Sequence, residues 1–164
     1  MADWKLPPKA KIYEALSAVA DGRVALSIDD NQAGVTSSSG TKTYNVMWND
    51  DISAITSNDN ASYWHGYLGY PILAALMVQK KLQYDKKVAE LMAGINWKQV
   101  NRQHHNNYDK AVAHVLKSLE EKGADAGSIR QEVDRIFAQI EHLGLQKLSR
   151  IKRPPEEHWR RSKH

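Results

Sequence analysis

Asp59 and His65 lie six positions apart in a stretch whose residue types could do chemistry, Ser57-Asn58-Asp59-Asn60-Ala61-Ser62-Tyr63-Trp64-His65-Gly66-Tyr67-Leu68-Gly69-Tyr70-Pro71. A carboxylate and an imidazole form an acid–base pair when the loop between them folds back within hydrogen-bond reach. Serines are frequent at 37–39, 57 and 62, yet none stands in the G-x-S-x-G setting that exposes a nucleophile on a strand-to-helix turn. The competing reading is structural: Ser57, Asn58, Asp59 and Asn60 bond their own backbone in side-chain turns and cap a helix. No catalytic motif is complete, so a small enzyme working through Asp59 and His65 ranks third among the functions considered.

The same stretch carries four of the chain's thirteen aromatic residues. Tyr63, Tyr67 and Tyr70 stand at spacings of four and three, which on a helix stacks them on one face and turns Trp64 and His65 away. An exposed tryptophan among amides is suited to stacking and recognition, because the ring offers a large flat area at low entropy cost. The candidate binding set is therefore Asn58, Asp59, Asn60, Tyr63, Trp64, His65 and Tyr67. Neither metal nor other cofactor is expected: His65, His104, His105, His114 and His142 show no H-E-x-x-H spacing, and the chain has no cysteine. Gly66 and Gly69 alone do not make a phosphate loop.

Charge is distributed unevenly. From position 146 onward seven basic residues meet two acidic ones, a surplus of five, which leaves residues 1–145 at net −1 within a chain of net +4. Polyanion attraction is thus a property of the tail, and Lys147, Arg150, Lys152, Arg153, Arg160 and Arg161 are its candidate nucleic-acid contacts. The lack of cysteine fits a reducing compartment. The opening residues have no apolar run of secretory length, and the run from Ile72 to Val78 is too short to span a bilayer, so a cytoplasmic protein with no membrane partner is expected.

The elements that must position these residues read as α+β. Pro7-Pro8 opens a first helix over Lys9 to Ala20, striped by Ile12, Leu16, Val19 and Ala20 and stopped by Gly22. Arg23 to Asp29 alternates with Val24, Leu26 and Ile28 on one face, a short segment surrounds Ala33 to Thr36, and Thr41 to Trp48 aligns Tyr44, Val46 and Trp48. An antiparallel meander of three strands follows, with Ile52 to Thr56 as a possible fourth. Helices are expected over Tyr70 to Gln79, Asp85 to Met92 and Asn107 to Lys122, with no more than a turn or two over Trp97 to Gln103. A last long helix opens at Ser128, read as its cap with Gln131 three residues on, and stops at Gly144. The division expected is 1–122 as the α+β domain, 123–147 as a helical extension and 148–164 as a flexible basic tail.

Tyr44-Asn45-Val46-Met47-Trp48, followed at a distance by Pro71-Ile72-Leu73-Ala74-Ala75-Leu76, resembles a SWIM module over residues 41–77. In that family a β-hairpin leads to C-x-C and then to C-x-H at the start of an apolar helix. Here Gly69 and Pro71 occupy the C-x-H positions, and nothing near Ser57 to Asp59 supplies the first pair. The resemblance implies binding of nucleic acid or protein partners without catalysis, and zinc binding does not carry over. The leading expectation is accordingly a non-catalytic module, with nucleic acid as the partner. The alternative is a protein-interaction adaptor, self-associating through the helices at Asn107 to Lys122 and Ser128 to Leu143.

Overall fold

The computed structural model describes residues 3–149 and 154–155. Its first helix, α1 (Ala10–Ala20), begins two residues after Pro8, and every residue from Ala10 to Ala18 is buried. The stripe expected from spacing was one face; the helix is covered all round, and Lys11, Glu14 and Ser17 are enclosed with it. At its end Gly22 N–H donates to Val19 C=O at 3.1 Å and Arg23 N–H to Ala18 C=O at 2.9 Å. These two bonds with Gly22 at φ +69 form the closing turn in which a left-handed glycine satisfies the last carbonyls. The sheet starts immediately beyond.

Strands β1 (Val24–Ser27), β2 (Gln32–Thr36), β3 (Thr43–Trp48) and β4 (Ala54–Ser57) form an antiparallel meander, and β5 (Gln146–Lys147) adds parallel to β4. Register pairs Ala33 with Val46 and Val35 with Tyr44, so the buried residues of β2 and β3 share one face, as the alternation requires. Ile28 departs from the expected face: the chain leaves β1 at Ser27 for a short 3-10 turn, and the Ile28 side chain is 70% exposed.

Helix α2 (Tyr70–Val78) is apolar on all sides and lies under β1 to β4, with α1 against its other side. The outer helices α3 (Lys86–Leu91), α5 (Tyr108–Glu121) and α6 (Ala126–Glu141) pack on α1, and α4 (Trp97–Gln103) leans on α5. Burying α1 and α2 between a sheet and a helical layer is what gives a chain of this length one continuous apolar core.

Asp125, rather than Ser128, caps α6. Its carboxylate accepts from Ser128 N–H at 3.2 Å and from Ser128 Oγ at 3.0 Å, so the serine is the partner of the cap and the helix starts three residues early. Residues 123–147 share the core of the rest: Ile129, Val133, Ile136 and Ile140 join the cluster that contains Leu16 and Ile72. Gln83 and Gln139 exchange two bonds of 2.8 Å between side chain and backbone, tying α6 to the loop before α3. Among the described residues no helix is long and apolar enough to cross a membrane.

Candidate functional site

Local hydrogen bonding determines the shape of the aromatic stretch. Asn58 continues the sheet edge, its N–H donating to Asn45 C=O at 3.3 Å and its Oδ1 accepting from Asn45 N–H at 2.8 Å. Asp59 is buried, at 4% exposure, and its two oxygens accept from Ser62 N–H at 3.0 Å and Ser62 Oγ at 2.7 Å. Ser62 Oγ accepts in turn from Gly69 N–H at 3.1 Å. One carboxylate therefore fixes the turn and joins it to the start of α2, which is the side-chain-turn role open to Asp59 from its sequence setting.

Residues 61–65 make a single π-helical turn that Gly66 ends at φ +73. Lys5 N–H donates to Gly66 C=O at 3.0 Å, and Leu68 N–H to Lys5 C=O at 3.4 Å, holding the following residues extended until α2 begins. Tyr63, Tyr67 and Tyr70 consequently do not share a helix face, because a left-handed glycine and an extended segment separate them. Tyr63 meets Trp64 edge to face with centroids 4.6 Å apart, while Tyr70 meets Tyr44 at 6.4 Å inside the fold. His65 lies nearly parallel to Tyr67, at 5.7 Å and 14°.

The turn presents two faces. Trp64 is 65% exposed on the outside, and Lys5 bonds to Gly66, two residues on. Lys147 places its Nζ 5.1 Å over the Trp4 ring and within 3.0 Å of where a side chain on Gly66 would begin. Asp59, Asn60, His65 and Tyr67 instead line a cleft of about 420 Å³ between α1, the β2–β3 turn, α4 and the start of α5. Asp59 and His65 thus share a wall, each with its own neighbours: Ser62 for the carboxylate, Tyr67 for the imidazole.

The other walls of the cleft come from residues outside the expected set. Lys11 and Glu14 form an ion pair at 3.2 Å, one helical turn apart, with side chains only 9% and 8% exposed. Asn101 Nδ2 donates to the other oxygen of Glu14 at 3.0 Å, and the Lys11 ammonium sits 4.4 Å from the centre of the Tyr108 ring. Burial by itself would lower the Lys11 pKa, but Glu14 and the Tyr108 and Tyr67 hydroxyls outweigh it, and the net shift is upward. Burial raises the pKa of Tyr67 and, far more, that of Tyr70. Both phenols stay neutral, with an O–H to donate, throughout the physiological range.

Arg23 closes the far end. Its Nε donates to Asp21 at 3.1 Å and its Nη1 to Thr36 C=O at 2.6 Å, whereas the buried Nη2 has no hydrogen-bond partner. Beside it the turn Ser37-Ser38-Ser39-Gly40-Thr41-Lys42 is cross-linked by its own hydroxyls, Ser37 to Ser39 at 3.2 Å and Ser39 to Thr41 at 2.8 Å. Ser38 Oγ accepts from Trp97 N–H at 2.9 Å, which anchors α4 to the turn.

Sequence reasoning passed over Lys11, Glu14 and Arg23 because polar residues on a helix or after its cap are ordinarily solvated. The usable signals were the i,i+3 pairing of Lys11 with Glu14 and the run of hydroxyls at 37–41. Of the basic candidates, Lys147 belongs to β5 rather than to the tail, with Leu148 N–H donating to Ile55 C=O at 3.0 Å. Arg150, Lys152, Arg153, Arg160 and Arg161 lie outside the described residues. His104 Nε2 and His114 Nδ1 are 3.0 Å apart on the surface. Among the described residues no three His, Cys, Asp or Glu side chains gather as a metal site would require.

Sheet, buried helix pair and cleft together define an α+β protein with a polar, aromatic-rimmed recess open at the junction of the sheet turn and the outer helices. The chain belongs to the family described as Uncharacterised conserved protein UCP014422, whose match spans residues 4–146, from Trp4 to the first residue of β5. No curated protein and no solved structure matches it.

Proposed function

We propose that the protein is a non-catalytic binding module and that its outer aromatic turn takes single-stranded nucleic acid. One observation carries this reading: Trp64, a ring that folding would ordinarily cover, is 65% exposed and packs edge to face on Tyr63, while Gly66, two residues on, is bonded by Lys5 and approached by the Lys147 ammonium. Every base has a face to stack on such a ring, and the neighbouring cations attract the backbone irrespective of sequence. The basic residues Arg150, Lys152 and Arg153 follow Lys147 within six positions of the sequence, a further source of phosphate attraction in the chain.

The SWIM-like order of hairpin and apolar helix supports the same reading. β3 and β4 stand as the hairpin and α2 as the helix. The Asp59–Ser62–Gly69 bonds join the segment after β4 to the start of α2. An adaptor using α5 and α6 is less well supported. Val112, Val115 and Leu116 of α5, and Ile129, Val133 and Ile136 of α6, are already inside the core.

Binding of a fluorescently labelled oligodeoxythymidylate, followed by anisotropy over a range of salt concentrations, tests the proposal. Affinity should fall steeply with salt, with a logarithmic slope of about −0.7 per phosphate neutralised. Trp64→Ala should weaken binding roughly 5- to 150-fold, the equivalent of about 1–3 kcal/mol of stacking, with the thermal midpoint unchanged. Absence of binding at low salt, or an unaltered affinity in Trp64→Ala, would remove nucleic acid as the partner.

A further inference from the structure

The geometry points to a second binding site, apart from Trp64: the cleft between α1, the 37–42 turn and α4 takes a neutral sugar, a mono- or disaccharide. Its volume of about 420 Å³ falls within the range of small-molecule pockets, roughly 300–1,000 Å³. Charge in its walls is compensated by the protein itself. Glu14 holds Lys11 at 3.2 Å, Asp21 holds Arg23 at 3.1 Å, and Lys42 is engaged within the chain. Asp59, bonded to Ser62, and exposed Lys98 remain, one of each sign. A site balanced in this way offers no net partner to an anion or a cation, and it favours an uncharged ligand held by many hydrogen bonds.

Hydroxyls are what these walls are equipped to bind. A hydroxyl both donates and accepts, and Lys11 and Glu14 present a donor and an acceptor side by side. Each oxygen of Glu14 accepts a single bond, from Lys11 or from Asn101, and has a second lone pair; the Lys11 ammonium has three N–H groups and donates one of them to Glu14. The two side chains line the cleft with 9% and 8% of their surface exposed, so adjacent sugar hydroxyls would meet a charge-assisted donor and acceptor there. Thr41, Asn60 and Asn106, all exposed, add further donors and acceptors around them. A sugar ring also has an apolar C–H face, which packs on an aromatic ring. The cleft supplies such rings in exposed His65, which lies parallel to Tyr67, and in half-buried Tyr108, steadied by Lys11.

Saturation-transfer NMR on the full chain, with the aromatic protons irradiated, tests the site against glucose, galactose, mannose and maltose at millimolar concentration. At least one of these sugars should receive saturation at its ring C–H protons, and titration should give one-to-one binding. The 6-phosphate of the sugar that binds should bind no more tightly than its parent, because the cleft has no net charge to meet it. His65→Ala should weaken binding about fivefold with the thermal midpoint unchanged, since that ring is exposed and only a stacking face is lost. Glu14→Gln should weaken it further, but it also leaves Lys11 without its charge partner, so His65→Ala decides the case if Glu14→Gln unfolds. No saturation in any of the sugars, tighter binding of the 6-phosphate, or parental affinity in His65→Ala would each overturn the assignment.

Discussion

Replacing Gly69 by alanine should destabilise the fold, even though the backbone at that position suits alanine. Gly69 has φ −71 and ψ 165, ordinary extended values, and on that ground alone the substitution would stabilise by about 0.4–1 kcal/mol through the unfolded chain. The obstacle is space. A Cβ there would overlap Asp59 Oδ2 and approach Ser62 Oγ to 2.8 Å. To restore van der Waals separation the carboxylate must withdraw by about 1 Å. Such a shift takes its 2.7 Å and 3.0 Å bonds to Ser62 out of hydrogen-bonding range. Two bonds to a buried charged acceptor are worth about 3–5 kcal/mol together, so the net loss should be about 2–4 kcal/mol. For a chain of this size that lowers the thermal midpoint by about 4–16 °C. Calorimetric or circular-dichroism melting of Gly69→Ala measures it, alongside Asp59→Ala and the double variant. If the clash with Asp59 is the cause, Gly69→Ala should cost much less in the Asp59→Ala background, a coupling of opposite sign to the single effects. A Gly69→Ala protein as stable as the parent, or two changes that simply add, would refute the reasoning.

Alkaline pH should weaken the fold through the cleft. Lys11, Tyr67 and Tyr70 all have raised pKa values, so above about pH 10 the unfolded chain loses protons that the folded chain keeps, and stability falls as pH rises. Urea midpoints should be level from about pH 7 to pH 9 and decline beyond, with a shallower decline in Tyr70→Phe; an unchanged midpoint at about pH 11 would count against the burial of these groups. Ser17→Ala should cost about 2–4 kcal/mol, because it deprives two buried groups, Trp97 Nε1 at 2.7 Å and Met92 C=O at 2.6 Å, of their shared partner. Equilibrium denaturation checks this, and a loss under about 0.5 kcal/mol would mean that water replaces the hydroxyl.

Local rules were enough for the elements. Alternation at Tyr44, Val46 and Trp48 identifies β3 and its buried face, and Gly22 and Gly123 stop α1 and α5, because strand period and left-handed caps depend on neighbours in sequence. The α+β class followed from the order of those segments. Only the tertiary structure decided which polar residues are enclosed. Lys11 and Glu14 lie on what spacing makes the wet side of α1, and they are buried because α4 and α5 close over that side from about 90 residues further along the chain. The aromatic stretch shows the same division. Its amides and carboxylate announced a turn, whereas the separation of Trp64 to the outside from His65 and Tyr67 in the cleft depends on Gly66 and on Lys5, which bonds to it from the other end of the domain. A side chain's exposure is set by what packs over it, and long-range packing leaves no periodic trace in the sequence.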